Sequence, residues 1–360
     1  MRSPARYWSA LPVVCALASL SGCGVSEDAA PPRFALEECA RVSLIIGETG
    51  QEIAGAEDLD IDRAGGRLFV SAYDRRAVER AARRGSEKIP EGGLYVVSLD
   101  DLSGDETRLH AEPIVAPALS AGGLRPHGIA YDEASGELHA INRSYAREGK
   151  RWRMQAQLLS FDRKGELSAT QEAPCPANDV AVHEGRLLMT LDHSGCGLRA
   201  GFEDVLGLKR ARLVDASGAT IVDGIGFANG AAALADGRVM VAATRERVLY
   251  PVVLNADVAD KQDAFRLGAA PDNLSISDEG RIIAALHPSL LAIGLQRRLG
   301  VGRSPSRIIE VDPSTGESRI LFDDPEASVI SAATVAILTR QILIIGSVID
   351  PGIVVCRSAP

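Results

Sequence analysis

Polar side chains recur at one position of a repeated sequence pattern. Each repeat has a short run of alternating apolar residues, a glycine turn and a second apolar run, and the polar side chain stands seven to nine residues before the turn glycine. In chain order these side chains are Glu57, His127, Asn178, Asn229 and Asp272 with Asn273. Carboxylate and amide oxygens, with almost no sulfur or imidazole, suit a hard cation, and calcium is the best choice. Such a calcium keeps a coordination position open for water or substrate.

Two further acids directly follow members of this set. Asp58 comes after Glu57 and Asp179 comes after Asn178, so their side chains point to the other side of each strand. We expect them to hold a second, structural calcium deeper in the same channel. The alternative interpretation is that both are solvated turn acids.

The repeat that carries these residues is typical of a β-hairpin. Its turn glycines recur at intervals of 70, 49, 52 and 43 residues, at Gly66, Gly136, Gly185, Gly237 and Gly280. A degenerate sixth copy begins at Ala333. Units of about the length of a four-stranded blade predict an all-β fold, a six-bladed β-propeller with a central calcium-binding channel. Circular closure brings the polar side chains together there.

Four long segments follow the second strands of these hairpins, and we expect them to overhang the channel as lids or binding loops. They are 73–91, 143–153, 192–209 and 287–303. The first carries arginines in a stretch that we expect to be helical: Arg75, Arg76, Arg80, Arg83 and Arg84. These predict a cationic rim that favours anionic or polar substrates. A solvated helix face is the alternative.

Composition and charge exclude several other classes of protein. The chain has 360 residues, of which 46% are hydrophobic and 24% charged, as in ordinary globular proteins. A net charge of -9 argues against nucleic acid as the main partner. No Gly-x-Ser-x-Gly elbow precedes a helix pattern, and neither phosphate-loop glycines nor zinc spacings of Cys and His occur.

The N-terminal segment is typical of an export signal. Arg2 and Arg6 precede an apolar run at 8–20 that is too short to span a bilayer. The run ends in Leu-Ser-Gly-Cys, which resembles the bacterial lipobox, so we expect a lipid on Cys23. An ordinary signal peptide followed by a chance cysteine is the alternative.

This interpretation divides the chain into three parts. We expect a lipoprotein signal peptide at 1–22, a lipidated tether at 23–38 and the propeller at 39–360. Such a chain is anchored to a membrane on the periplasmic side, and Gly24 slightly favours the outer membrane.

Export also places the remaining cysteines in an oxidising compartment. Four are left once Cys23 is acylated and the signal is removed: Cys39, Cys175, Cys196 and Cys356. Three pairings are possible. We favour Cys39 with Cys356, because they flank nearly the whole folded region, and Cys175 with Cys196, because that closes a short loop. Four buried free thiols are the alternative if the lipobox is spurious.

Short motifs along the chain resemble the paraoxonase/arylesterase family, which is related to the gluconolactonases. They are Gly55-Ala-Glu-Asp-Leu-Asp-Ile, Arg125-Pro-His-Gly-Ile, Asn178-Asp, Gly226-Phe-Ala-Asn-Gly, Asp272-Asn-Leu-Ser and Leu286-His-Pro. The resemblance runs from about Cys39 to Cys356. It implies a calcium-dependent six-bladed propeller whose first and last strands are joined by a disulfide.

The resemblance also implies ligands and an activity. A catalytic calcium would be held by Glu57, Asn178, Asn229, Asp272 and Asn273. A structural calcium would be held by Asp58, Asp179 and the carbonyl of Ile129. The family hydrolyses lactones and some aryl esters, and a metal at the carbonyl oxygen stabilises the oxyanion that forms.

One departure from the family concerns the catalytic base. His127 matches the histidine proposed there to activate water, but the family's second histidine is replaced by Arg143. Arginine stays protonated and cannot relay a proton. Arg143 is instead a candidate for holding a substrate carboxylate or lowering the pKa of His127. Asp272, His193 and His287 are alternative groups to act on water, and for the two histidines an ordinary structural role is the alternative.

We therefore expect a hydrolase of small lactones or aryl esters with one catalytic and one structural calcium. Hydrolysis of phosphotriesters is an alternative activity, because the same metal would make the substrate more electrophilic in the same way. A non-catalytic binding propeller, stiffened by calcium, is the alternative from another class, and Arg143 favours it somewhat.

Overall fold

The computed structural model of this chain describes residues 30–114, 122–254 and 259–358. The expected signal peptide and the expected lipidation site, Cys23, lie outside the described residues. No helix in the described part is long and apolar enough to cross a membrane. The compact unit Pro32–Pro360 consists mainly of β-strands.

Antiparallel groups of strands follow one another along the chain. The chain starts with β1 (Cys39–Ile46) and the short β2 (Gln51–Glu52), which pairs with it. The first group consists of β3 (Ala56–Asp62), β4 (Arg67–Ala72), β5 (Gly93–Ser98) and β6 (Arg108–Ile114). The second consists of β7 (Pro126–Asp132), β8 (Glu137–Glu148), β9 (Arg151–Phe161) and β10 (Leu167–Ala173).

The later groups pair in the same way. The third consists of β11 (Ala177–His183), β12 (Arg186–Leu191), β13 (Ala211–Asp215) and β14 (Thr220–Ile225). The fourth consists of β15 (Ala228–Ala233), β16 (Arg238–Ala243), β17 (Val248–Leu254), β18 (Ala259–Lys261) and β19 (Phe265–Arg266). The fifth consists of β20 (Ala270–Ile276), β21 (Ile282–His287), β22 (Ser306–Val311) and β23 (Ser318–Asp324). The last consists of β24 (Ala333–Thr339), β25 (Ile342–Ser347), β26 (Ile353–Arg357) and β1.

Strand β1 ties the two ends of the described chain together. It runs antiparallel to β26 with Cys39 opposite Cys356, and these cysteines form the predicted disulfide. It also runs parallel to β6, with Ser43 opposite Arg108, so the last and first groups join into one sheet. Closing so long a loop in the unfolded chain removes entropy worth more than about 4 kcal/mol.

The first strands of the groups contact one another around a closed ring. Its order is β3, β7, β11, β15, β20 and β24, and β24 returns to β3. Sheets that pack against a neighbour on both faces need apolar side chains on both faces. In β16, Val239 and Val241 pack toward the third group, whereas Met240 and Ala242 pack toward the fifth. The fold is therefore all-β and propeller-like.

Helices occupy three of the four segments that we expected to overhang the channel. Among the described residues the α-helices are α1 (Arg75–Arg84), α2 (Leu99–Ser103), α3 (Leu198–Leu206) and α4 (Leu290–Leu299), and Leu36–Glu38 and Gly47–Thr49 are 3-10 turns. The prediction that the fourth segment, 143–153, is a loop is wrong. Strands β8 and β9 continue through it, paired as far as Glu148 opposite Arg151, because the hairpin extends beyond the edge of its sheet.

Candidate active site

A cavity of about 540 Å³ opens where the first strands of the groups begin. A polar side chain near the start of each first strand lines it, and we call this set the cavity floor: Glu57, His127, Asn178, Asn229, Asp272 and Thr334. Every member is at most 7% exposed. The structure thus brings together residues up to 277 positions apart, as between Thr334 and Glu57.

Thr334 is the floor residue that the sequence analysis missed. Its hydroxyl donates a 2.7 Å hydrogen bond to the carbonyl of Glu57, and Asn273 Nδ2 donates to the same carbonyl at 3.1 Å. Asn273 is buried but is not among the side chains that line the cavity. The signal for Thr334 was its position in the degenerate sixth repeat, directly after Ala333.

An irregular pairing in each first strand lies at the floor residues. The register with the second strand shifts there, at Ala56/Asp58, Pro126/Ile129, Ala177/Val180, Ala228/Ala231, Pro271/Leu274 and Ala333/Val335. The residues passed over in these shifts include the whole floor. A bulge bends the strand and redirects a side chain. The recurring shift therefore gives all the floor residues the same local backbone setting.

Two of the passed-over positions need glycine. A Cβ on Gly230 would lie 2.6 Å from the Cα of Asn273, and one on Gly128 would lie 2.7 Å from the carbonyl oxygen of Asn178. Both distances are too short for any side chain. The glycines therefore let neighbouring first strands approach closely enough to place their polar side chains around one cavity.

Glu57 and His127 contact each other on the floor, through Glu57 Oε2 and His127 Nδ1. Burial alone raises the pKa of Glu57, but His127, Arg75 and Arg143 outweigh it and lower this pKa to about 2. Burial and the positive charge of Arg143 lower the pKa of His127 to about 3. At neutral pH the floor therefore carries a carboxylate beside a neutral imidazole.

Several buried polar atoms at this site have no hydrogen-bond partner. They are Asn273 Oδ1, His127 Nε2, His287 Nδ1 and Arg143 Nε, whereas Glu57 Oε2 and His127 Nδ1 contact only each other. A buried polar atom without a partner is costly, at about 1–3 kcal/mol. Asn273 Oδ1 is an oxygen expected to ligate calcium, and Glu57 Oε2, another, has only the His127 imidazole beside it, so the donor set fits a hard cation. No three His, Cys, Asp or Glu side chains of the described residues are arranged to hold a metal, and amide oxygens would therefore have to complete its shell.

Asp272 is fixed by two neighbours. Asn229 Nδ2 donates to its Oδ1, and its Oδ2 lies 2.6 Å from His287 Nε2. We expected His287 on an overhanging segment, but it is the last residue of β21 and is 4% exposed. Its ring is placed to hold or return a proton at Asp272 Oδ2.

His193 lies beside the floor and does not line the cavity. Its Nδ1 is 2.6 Å from Asp192 Oδ1 and its Nε2 is 2.6 Å from Asp204 Oδ1 on α3. Asp192 in turn accepts a 3.2 Å hydrogen bond from Asn178. Because both ring nitrogens are engaged by carboxylates, His193 orients Asp192 and Asn178, and we do not assign it the role of the base.

Arg143 lies in strand β8 rather than on a loop, and its side chain is 8% exposed. Its Nη2 is 3.4 Å from the carbonyl of Ala177 and 3.6 Å from Asp192 Oδ2. It does not line the cavity. Of its two expected roles, lowering the pKa of His127 agrees with the contacts, whereas holding a substrate carboxylate stays a prediction that its absence from the cavity lining does not favour.

The prediction that the arginines of α1 form a cationic rim is wrong for four of the five. Of the five arginines, only Arg75 lines the cavity, and Arg83 pairs with Glu79 on the helix surface. The other arginines at the cavity come from distant segments and were missed: Arg245, Arg297 and Arg298. Nothing in the repeat marks them, because they follow the second strands in segments of unequal length.

The α4 side chains that line the cavity, with Phe227 and Arg245, form most of the remaining wall, and we call this set the cavity mouth. Helix α4 is fastened to α1, because Arg297 Nε lies 3.0 Å from Glu79 Oε1. Arg75 Nε is 3.6 Å from the same oxygen, and Arg75 Nη1 is 3.5 Å from Glu57 Oε1. A chain of ion pairs therefore connects the mouth to the floor.

Asp58 and Asp179 lie behind the floor and are buried. Asp58 accepts a 2.7 Å hydrogen bond from the amide of Ile129, and Asp179 accepts 2.8 Å bonds from the amides of Val180 and Ala231. Burial and nearby carboxylates raise the pKa of both well above the ordinary range. Two buried acids that repel each other fit a divalent cation between them.

The second predicted disulfide is also present, between Cys175 and Cys196. It spans the segment that carries Asn178, Asp192 and His193. It therefore links the start of β11 on the floor to the segment that leads into α3.

No family model and no curated protein match this chain. Solved structures resemble its fold. A luciferin-regenerating enzyme superposes with a TM-score of 0.51 and 11% identity, over 90% of this chain and 94% of that chain. A candidate gluconolactonase gives 0.48 and 14%, over 84% and 89%. Virginiamycin B lyase from Staphylococcus aureus gives 0.46 and 8%, over 89% and 99%. At these identities the first likeness supports the fold alone.

Proposed function

We propose that this chain is a calcium-dependent hydrolase of lactones or aryl esters, built on a six-bladed β-propeller and related to the paraoxonase/arylesterase family that its motifs resemble. The observation that carries the proposal is the cavity floor. There, carboxylate, amide and imidazole groups from successive first strands converge, and beside them the buried Asn273 Oδ1 lacks a partner.

We assign the two expected calcium ions to separate sets of residues, one on the floor and one behind it. A catalytic calcium would be held by Glu57, Asn178, Asn229, Asp272 and Asn273, and a structural one by Asp58, Asp179 and the carbonyl of Ile129. When bound, the catalytic calcium supplies electrostatic stabilisation of negative charge on the carbonyl oxygen. A bound cation would also offset the negative charge of the acids that the fold buries together.

His127 is our first candidate for the base. Its imidazole is neutral at pH 7 because burial and Arg143 lower its pKa. Its Nδ1 contacts Glu57, and its Nε2 has no hydrogen-bond partner. The water oxygen bonds to the carbonyl carbon while its proton passes to His127. The carbon–oxygen bond to the leaving group then breaks, and that oxygen takes the proton. Asp272, held by His287, is the second candidate for the same step.

We also propose that the chain is an exported lipoprotein, anchored through Cys23 on the periplasmic side of a membrane, with the outer membrane favoured. The two disulfides agree with an oxidising compartment, where such bonds form and persist. Mass spectrometry of the protein purified from membranes tests this, because a diacylglyceryl group on Cys23 gives a defined mass increase. A free thiol at Cys23 would contradict it.

The test of activity is hydrolysis of a panel of aliphatic lactones, aromatic lactones and aryl esters, with calcium and after chelation. We expect turnover only with calcium, and a loss of about 100-fold or more in kcat for Asp272→Asn. The matched control is Asp263→Asn, an exposed acid outside the cavity, which should leave kcat unchanged. Calcium binding with no turnover on any substrate would instead favour a binding propeller. A phosphotriester in the same panel tests the remaining alternative.

A further inference from the structure

The cavity mouth combines an apolar stripe with positive charge. On α4, Leu291, Leu295 and Arg298 are spaced four and three residues apart, so they lie along one side of the helix, and all three line the cavity. Leu291 is 73% exposed and Leu295 is 40% exposed. Such large apolar side chains at a cavity favour an apolar ligand.

The opposite wall is also apolar. Phe227 lines the cavity with a backbone φ of 68°, a left-handed conformation that a bulky residue seldom adopts. Its ring packs edge-on against His193 and lies under the guanidinium of Arg245. These contacts fix an aromatic ring in the cavity wall, and strained residues of this kind are common at ligand sites.

The charges that line the cavity are mainly positive. Glu57 and Asp272 on the floor are its acids, against four arginines. Three of these arginines are engaged: Arg75 with Glu57, Arg297 with Glu79 and Arg245 with Asp204. The fourth, Arg298, is exposed and has no hydrogen bond or ion pair in the described part of the chain. Arg298 is therefore the cation available to a ligand.

The two features have a defined separation. Leu291 and Arg298 are seven residues apart on a helix, which is roughly 10 Å along its axis. The N-terminal end of α4 follows His287, which contacts Asp272 on the floor. A ligand that places its reacting group on the floor and extends along α4 ends beside Arg298.

We propose that the cavity takes amphiphilic monoanions, namely esters or lactones whose aliphatic chain lies along α4 and whose free carboxylate pairs with Arg298. This substrate class rests on the proposed hydrolase function. It differs from the cationic rim first expected, because α1 contributes only Arg75, and that side chain is already committed to Glu57 and Glu79.

Binding is tested first, without reference to turnover. Isothermal titration calorimetry of the purified protein with calcium compares octanoate and octyltrimethylammonium, below their micellar concentrations. We expect octanoate to bind the wild-type protein more tightly than the cationic probe does. Arg298→Gln should weaken octanoate binding about fivefold and should not weaken binding of the cationic probe. Arg84→Gln removes an exposed arginine outside the cavity and should change neither affinity. Leu295→Asn should weaken both probes.

Two results would overturn the proposal. Octanoate binding no more tightly than the cationic probe would remove the preference for anions. An octanoate affinity unchanged in Arg298→Gln would place the carboxylate elsewhere, such as on the floor.

A kinetic comparison separates this inference from the proposed function. For monophenyl suberate, Arg298→Gln should raise KM about fivefold with kcat unchanged, whereas methyl phenyl suberate, whose second carboxyl is esterified, should be unaffected. If neither ester is hydrolysed but octanoate keeps its preference, the hydrolase proposal fails and the ligand class stands. If the neutral diester is the better substrate and octanoate binds weakly, the hydrolase stands and the ligand class fails.

Discussion

The floor and the mouth of the cavity are built on opposite principles. Floor side chains are at most 7% exposed and stand on strands paired within a closed ring. In the mouth, Leu291 and Leu299 are 73% and 68% exposed, and Gln296 is the buried residue of α4. Paired, buried backbone is the most stable part of a fold, whereas a helix with few buried contacts opens easily. The chemistry that we propose therefore sits on rigid elements, and the surface that we propose selects substrates sits on an adaptable one.

The largest effect is expected at the disulfide that links the floor strand β11 to the segment leading into α3. Replacing Cys175 and Cys196 together by serine should lower the free energy of unfolding by roughly 3 kcal/mol, because the disulfide closes a loop of 21 residues. Urea denaturation measures this. The single variants leave a free thiol and are not the control. The oxidised wild-type protein, compared before and after mild reduction, serves that purpose. An unchanged unfolding midpoint would mean that packing alone holds the segment before α3 against β11.

The floor itself should be sensitive to a change of one charge. Glu57→Gln keeps the shape of the side chain but removes the carboxylate that contacts His127 and Arg75. We expect calcium affinity to fall about 100-fold, because a charged ligand is lost and the buried Arg75 loses a partner. Titration calorimetry with calcium measures this. On α1, which fastens the mouth, Glu79→Gln should leave calcium affinity within about twofold, since Glu79 acts on the floor only through Arg75. Equal losses in both variants would erase the distinction between the regions.

Replacing each of two glycines by alanine should change the free energy of unfolding in opposite directions. Gly230→Ala on the floor places a Cβ 2.6 Å from the Cα of Asn273, so stability should fall by about 1–3 kcal/mol. Gly294→Ala on α4 meets nothing within 4 Å, so the better helix propensity should raise stability by about 1 kcal/mol. Thermal and urea unfolding measure both. A destabilised Gly294→Ala would mean that α4 packs more tightly than its exposure indicates.

The smallest effect concerns the ion pair that fastens the mouth. Burial raises the pKa of Glu79, but Arg297 and Arg75 outweigh it, and the net shift is downward. The stabilisation is therefore present above the ordinary pKa of a glutamate and is lost as pH falls through the lowered one. Glu79→Gln should cost about 1 kcal/mol or less at pH 7, with no further loss on this account in acid. Unfolding curves at several pH values check it, and an identical acid dependence in both proteins would exclude Glu79 as its source.

The floor could be predicted from the sequence because it repeats. Glu57, Asn178 and Asn229 stand at one position of one pattern, and a ring of equivalent strands must bring equivalent positions together. The same pattern was weak in the sixth repeat, and Thr334 was overlooked because a hydroxyl alone carries no metal-binding signal. Asp58 and Asp179 were placed behind the floor because strand residues alternate in direction.

The mouth could not be predicted in the same way. Segment 143–153 was expected to be a loop, yet it is a paired hairpin, since pairing beyond a sheet edge depends on what the hairpin packs against. Trp152 donates to the carbonyl of Ser86 in the segment after α1, which is one such contact. The arginines of the cavity were sought on α1 because five cluster there, but a helix directs only one face toward its neighbour.

The amino-acid sequence by itself determined the all-β repeat, the closing disulfide between Cys39 and Cys356, and the residue types that converge on the floor. These follow from local periodicity and from the symmetry of a closed ring, which are properties of the chain read in order. Only the tertiary structure decided which charges reach the cavity: Arg143 lies behind the floor, His193 is held between two aspartates, and Arg298 stands unpaired at the mouth. Those outcomes depend on how segments far apart in sequence pack against one another, and no local pattern carries that information.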